Sequence, residues 1–337
     1  MEGARAVAAA AVRVEGTPNK MDNYSKLLRL GLSAFILSAV NTLIGSDNRP
    51  VQGQGSPTGP ALIAPGATLQ ELAGGLQFGE GPAADAEGNV FLSDIPASRT
   101  LKWSVDGKLS TFRTDTGNAN GQFFDKDGNL IVCEGGRGRL VSVDRQGHVT
   151  VVVDQFQGKR FNQPNDLWID PKGGIYFSDP IYGRGVRAQE GEYVYYLNPD
   201  RQRIIRVITD FARPNGLVGT PDGKVLYASD HGAKKIYAYD INADGSLSNK
   251  RFFAPVAADG MTLDNEGNLY LCEDAVLIYE PSGKKIGTIE VPEQPTNVCF
   301  GGPDAQTLFI TTRPKLYSIR MCVGGTAKSN RQAQHNQ

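Results

Sequence analysis

Histidine and cysteine are scarce in this chain, with three and four copies in 337 residues. His335 lies in a polar tail, His148 follows a hairpin turn, and His231 ends a strand-like run from which it can approach a site. None of Cys133, Cys272, Cys299 and Cys322 belongs to a CxxC pair, which argues against a zinc cluster. Cys133 and Cys272 end strand-like runs in different repeats, so buried free thiols are expected rather than disulfides. The formal net charge of −1 gives no basic face, so nucleic acid is not an expected partner. No Gly-x-Ser-x-Gly elbow occurs, which leaves a serine nucleophile of that type unsupported. The Gly-rich stretch Glu134–Arg139 follows a strand without opening a helix, so it does not read as a phosphate cradle.

Long apolar runs are also missing, apart from one near the N-terminus. Residues 1–46 form an extension in which Met21 opens a second plausible start, followed by Lys26, Arg29 and an apolar run from Leu30 to Gly45. That is the layout of a secretory signal, too short and too interrupted by serine for a membrane span. It implies an exported protein, periplasmic or extracellular, with an uncleaved N-terminal anchor as the alternative; without a functional signal the protein stays cytoplasmic. Residues 47–66, rich in Gly, Pro, Ser and Gln, read as a flexible linker, and residues 323–337 as a disordered tail.

What the chain has in abundance is turn residues, 40 glycines and 19 prolines. Between them one unit recurs six times. Asp85-Ala-Glu-Gly-Asn-Val-Phe-Leu-Ser-Asp94 is followed by related segments at Asp125–Glu134, Asp170–Asp179, Pro221–Asp230 and Asp264–Glu273, and by a degenerate copy at Gly302–Thr311. The turn positions are Gly88, Gly128, Gly173, Gly223, Gly267 and, in the last copy, Ala305, spaced 38 to 50 residues apart. Such a period, about 40–50 residues, fits a four-stranded propeller blade. The Asp-x-x-Gly turn closes a hairpin and the apolar run after it is a buried strand. One blade cannot bury both faces alone, so the expected fold is an all-β, six-bladed propeller over residues 67–322. Ring closure is expected from Thr68–Ala73, added to the blade whose inner strands come from the C-terminus.

Eight residues before each turn position stand Glu80, Asn120, Asn165, Asn215, Asp259 and Asn297. Each precedes the apolar run of an innermost strand, which places all six at one mouth of the central channel. A ring of carboxylate and amide oxygens without His or Cys suits a hard cation, calcium or magnesium. Two carboxylates, Glu80 and Asp259, balance a divalent charge. If these residues only capped turns, Ser, Thr and Gly would be mixed among them; none occurs.

The segments Glu80-Gly-Pro82, Asn120-Gly121, Phe161-Asn-Gln-Pro-Asn-Asp166, Tyr176-Phe-Ser-Asp-Pro180, Arg213-Pro-Asn-Gly216 and Asp259-Gly260 resemble the gluconolactonase, senescence marker protein 30 and luciferin-regenerating enzyme superfamily, in order and at blade spacing. The bacterial gluconolactonase branch is the most similar, over about residues 70–320. The resemblance implies one divalent ion, Ca2+ foremost with Mg2+, Mn2+ or Zn2+ also accommodated, held by Glu80, Asn165, Asn215 and Asp259. It implies Asp259 as general base and places Asn120 and the neighbourhood of Gln163 against substrate. Animal members carry Arg at the position of Gln163, and many bacterial relatives read Glu-His-Gly where this chain has Glu134-Gly135-Gly136. The implied substrate is a sugar lactone, a cyclic ester whose hydrolysis builds negative charge on the carbonyl oxygen. A divalent ion can polarise that oxygen and acidify a bound water, and Asn120, Asn165 and Asn297 can offer amides to sugar hydroxyls or to the tetrahedral intermediate. Two alternatives remain: another metal-dependent esterase or phosphotriesterase on this fold, and a non-catalytic propeller that binds a glycan or protein.

Overall fold

The computed structural model describes residues 62–326 except 184 and 186. The signal-like segment, most of the expected linker and the C-terminal tail lie outside the described residues. Among the described residues no helix is long and apolar enough to cross a membrane.

The described chain forms six four-stranded antiparallel sheets and one two-stranded hairpin. The first blade runs Gly79–Ala84, Val90–Asp94, Arg99–Trp103 and Leu109–Thr114, from the channel outward. The innermost strands of the next five blades are Ala119–Phe124, Leu167–Ile169, Pro214–Gly219, Met261–Leu263 and Pro295–Gly301. Each innermost strand lies against the next, and the sixth lies against the first, so the ring is closed. The small hairpin, Gln155–Phe156 with Lys159–Arg160, joins the second blade to the third.

Burial falls from the channel outward, as the sequence of each strand requires. Val90–Asp94, Leu130–Glu134 and Ile175–Asp179 are buried along their whole length, which their continuous apolar runs allow because both faces meet a neighbouring blade. The outermost strand Val149–Val153 is half exposed. The apolar core is a ring of layers between blades. Phe91, Leu130 and Val132 fill the first gap; Phe161, Phe177 and Tyr195 the second. Leu92, Leu101 and Phe309 close the layer between the last blade and the first.

In the first, second and fifth blades the hairpin is built by its aspartate. Asp85 Oδ1 accepts the amides of Glu87 and Asn89 at 3.0 and 2.8 Å while Oδ2 accepts the Asn89 side chain at 2.7 Å. Asp125 and Asp264 repeat all three bonds, which is the physical content of the repeated Asp-x-x-Gly-Asn. In the degenerate copy Ala305 takes the same left-handed turn position, at φ 59°.

The ring is closed as expected. Gln70–Gly74 pairs antiparallel with Lys315–Arg320 as the outer strand of the sixth blade, with a bulge between Glu71 and Ala73, and Lys315 Nζ lies 2.9 Å from Glu71 Oε2. Packing reaches a little beyond the expected boundaries of 67 and 322. Leu62 is buried beside Ile319 and Met321, Ile63 bridges Met321, and Gly325 bridges Asp264. Residues 62–66 thus belong to the propeller rather than to a linker. Cys133, Cys272 and Cys299 are buried free thiols, and Cys322 is free and exposed.

On the face opposite the site the first and last blades meet at Gly88. Its φ is +94°, its carbonyl accepts the Gly302 amide at 2.9 Å, and a Cβ there would lie 2.2 Å from the Gly302 oxygen. Gly147 has a similar φ of +87° with nothing within 4 Å of a Cβ. Gly147→Ala should therefore lower stability by roughly 1–2 kcal/mol of backbone strain alone. Gly88→Ala should lose clearly more, because backbone at the seam cannot move aside. Denaturant midpoints of the two variants, compared at equal m-value, check this; equal losses would refute a steric seam.

Candidate active site at the channel mouth

Among the ring positions the structure joins the side chains of Glu80 and Asn297 and of Asn215 and Asp259, and ties Asn165 to the second blade through its backbone oxygen and the Gly121 amide. In four blades the innermost strand bulges at the ring position: register slips between Glu80 and Ala83, Ala119 and Gln122, Pro214 and Leu217, and Pro295 and Asn297. Bulges re-aim side chains next to functional sites. In the third and fifth blades the regular ladder begins after the ring residue, at Leu167 and Met261, while the ring residue's own amide donates to the second strand, Asn165 to Ser178 at 2.9 Å and Asp259 to Cys272 at 2.8 Å.

The residue after each ring position explains how closely the blades approach. A Cβ on Gly81 would lie 2.2 Å from the Asn120 oxygen, on Gly121 2.5 Å from Asp166 Oδ1, on Gly216 2.3 Å from the Asp259 oxygen, and on Gly260 2.0 Å from Asn297 Cγ. Three of these glycines also bond to the next blade, Gly121 to the Asn165 oxygen at 2.7 Å, Gly216 to Asp259 at 2.9 Å and Gly260 to Thr296 at 2.8 Å.

A second device is the acid at the end of the second strand, present in five of the six blades. Asp94 Oδ1 accepts the amides of Gln77 and Phe78, and Asp179 accepts that of Asn162 at 2.9 Å. Asp230 accepts those of Ala212 and Arg213, both at 3.0 Å, and Glu273 that of Ala257. Each clamp holds the loop two or three residues before a ring position. The preceding serines tie the same point sideways: Ser93 Oγ donates to the Asn120 oxygen and Ser229 Oγ to the Ala258 oxygen, each at 2.7 Å. Glu134 departs from the pattern, being buried among Arg113, Arg137 and Arg139.

Inside the ring, Glu80 is buried, and its Oε2 accepts the Gly81 amide at 2.8 Å and Asn297 Nδ2 at 3.1 Å. Asn215 Nδ2 donates to Asp259 Oδ1 at 2.7 Å and to the Tyr182 hydroxyl at 2.6 Å. Burial raises the Glu80 carboxyl well above the ordinary range, and the charges of Asp259 and Asp166 add to it. Burial also raises Asp259, against the Asn215 hydrogen bond and the positive charges of His231 and Arg313. Asp166 is buried and pushed up to about 7 by desolvation, which the amides of Leu167 and Leu217 oppose and the charge of Asp259 reinforces.

Asp166 and Tyr182 are members of the site that counting back from the turns does not reach. Asp166 stands where four other copies have glycine, a signal visible within the repeat itself. Tyr182 belongs to the loop after Ile175–Asp179, inside the longest of the repeat spacings. Its ring lies 6.4 Å from that of His231 and under the Arg213 guanidinium at 5.1 Å. Gln163 is held by that loop: its Oε1 accepts the Tyr182 amide at 2.6 Å.

The donor chemistry fits a hard cation. Three desolvated carboxyls share the mouth, and among the described residues no Lys or Arg pairs with Glu80, Asp166 or Asp259. Among the described residues no three His, Cys, Asp or Glu side chains cluster tightly enough to hold a metal alone, so a cation held there would also need amide oxygens.

Fold and site define a six-bladed propeller with an oxygen-lined, acidic channel mouth. A family model described as the SMP-30/Gluconolactonase/LRE-like region matches residues 78–313. A gluconolactonase of Zymomonas mobilis is 32% identical over 303 residues, covering 79% of this chain and 84% of its own. A pentonolactonase of Haloferax volcanii is 29% identical, covering 70% and 81%. The solved structure of a gluconolactonase from Xanthomonas campestris superposes with a TM-score of 0.72 at 30% identity, covering 81% of this chain and 99% of its own. The chain belongs to the SMP-30/gluconolactonase/LRE-like family.

The clamp at Asp230 is testable without a substrate. Asp230→Ala leaves two loop amides without their acceptor, at a cost of about 1–3 kcal/mol for each that stays buried. Urea denaturation should show a loss in that range, while a loss below ~0.5 kcal/mol would mean that water replaces the carboxylate.

Proposed function

We propose that this protein hydrolyses a sugar lactone with one divalent cation, Ca2+ by the chemistry of its donors, at the channel mouth and with Asp259 as the base. The observation that carries the reading is the pair of desolvated carboxyls, Glu80 fully buried and Asp259 half-buried, set among amides without a cationic side chain paired to either. The relatives named as gluconolactonase and pentonolactonase support the substrate class. Glu80, Asn165, Asn215 and Asp259 would hold the cation. When bound, it supplies positive charge to the oxygen that becomes anionic and acidifies water at neutral pH.

The rest falls to the chain. Asp259 Oδ1 is fixed by Asn215 at 2.7 Å, so the other carboxylate oxygen is the one to take a proton from the attacking water. A cation nearby would make a carboxylate a weak base; burial, which raises Asp259 in the structure, works in the opposite direction. Asn120, Asn165 and Asn297 present amides to the sugar hydroxyls or to the tetrahedral oxygen, with Gln163 at the edge of the substrate side. Asn297 is held for this by its bond to Glu80.

In a pH-stat assay, acid release from glucono-δ-lactone should vanish with EDTA and return with Ca2+. No release from any lactone by a protein that binds metal would favour a binding module instead. Asp259→Asn should lower kcat by about 10²–10⁴, the range for a lost general base; wild-type turnover with the metal retained would refute the base. Glu80→Gln should weaken Ca2+ about tenfold or more by calorimetry, by analogy with losses at ligand-supporting positions.

A further inference from the structure

Asn215 is an amide, and only one of its two ends can bind a cation. Which end faces the cation is set by what holds the other. In the structure the nitrogen is taken twice, by Asp259 Oδ1 at 2.7 Å and by Tyr182 Oη at 2.6 Å. Both protons of the Nδ2 group are thereby used, and the carbonyl oxygen is left out of the pair. Asp259 alone does not fix this orientation firmly, because it supplies one acceptor for two protons. Tyr182 supplies the second from a different blade, 33 residues away in sequence.

Tyr182 is itself held on three sides. Its backbone amide donates to Gln163 Oε1 at 2.6 Å, the Arg213 guanidinium lies over its ring at 5.1 Å, and the His231 ring meets it at 6.4 Å. Gln163 packs closely on the same loop: a Cβ at Gly185 would lie 2.5 Å from its Nε2. The oxygen of the Gln163 amide is thus bonded to the loop, and its nitrogen lies close beside it.

We infer that Tyr182 is a positioning residue that orients the Asn215 amide, with its nitrogen toward Asp259 and its oxygen presented for cation binding, and that Gln163 acts through Tyr182 by holding its backbone. This rests on the cation reading above. It gives the Gln163 position, where animal relatives carry Arg, a role in building the ligand set.

The test is a double-mutant cycle read by calorimetric Ca2+ affinity without substrate. Tyr182→Phe keeps the ring and its stacking and removes only the acceptor, so thermal melting should stay near wild type. Its Ca2+ affinity should fall about tenfold, in the range seen when a group supporting a metal ligand is lost. In an Asn215→Ala background the same substitution should have no further effect, since it acts through Asn215. Gln163→Met should weaken Ca2+ as Tyr182→Phe does, and Gln163→Glu, which keeps an acceptor for the Tyr182 amide, should restore most of the affinity. Unchanged affinity in Tyr182→Phe, or an equal loss with and without Asn215, would overturn the inference alone. A wild-type protein that binds no Ca2+, Mg2+, Mn2+ or Zn2+ would overturn the cation reading and this inference with it.

Discussion

At the channel mouth four of the six blades approach a neighbour more closely than a side chain at the contact allows, and the rest of the site depends on that approach. Gly81, Gly121, Gly216 and Gly260 are the points of contact, and a Cβ on any of them would strike the neighbouring blade. Because the contact leaves no room for a side chain on these four residues, successive ring residues are held within one small opening. Their carboxyls are desolvated and feel each other's charge as a result. Wider spacing would leave each acid in water with an ordinary pKa, and little would attract a cation.

Such crowding is unfavourable in isolation, so the fold must hold it from outside. The clamps do this. Asp94, Asp179, Asp230 and Glu273 each stand at the end of a fully packed second strand and take the amides of the loop entering the channel. Their strands are rigid because both faces are buried between blades. The apolar layers between blades thus set the position of polar groups that they never touch. Closure of the ring by Gln70–Gly74 and the Gly88 seam keeps the first and last blades in the same register, so that Glu80 reaches Asn297 across the chain's two ends.

The relatives that share the fold and the motifs place this chain in a family with members named for lactone substrates. Within the repeat it is the third blade that differs from the others: Asp166 stands where four other copies have glycine, and the following loop brings Tyr182 to Asn215. Gln163 accepts the backbone amide of Tyr182, and a Cβ on Gly135 would lie 3.3 Å from the Pro164 oxygen.

The sequence by itself determined the blades, the turn chemistry and the six ring positions. All of these recur at a fixed spacing, and a repeated local rule is readable without knowing which parts of the chain meet. It also carried the strand-ending acids and the glycines after the ring positions, although their purpose shows only when a neighbouring blade is in place. Tertiary structure alone decided the rest. The pairing of Asn215 with Asp259, of Glu80 with Asn297, and the reach of Tyr182 across two blades join residues tens to hundreds of positions apart. No local period encodes such contacts. They follow from the closing of the ring, which brings the chain's distant segments to one axis and removes the water between their charges.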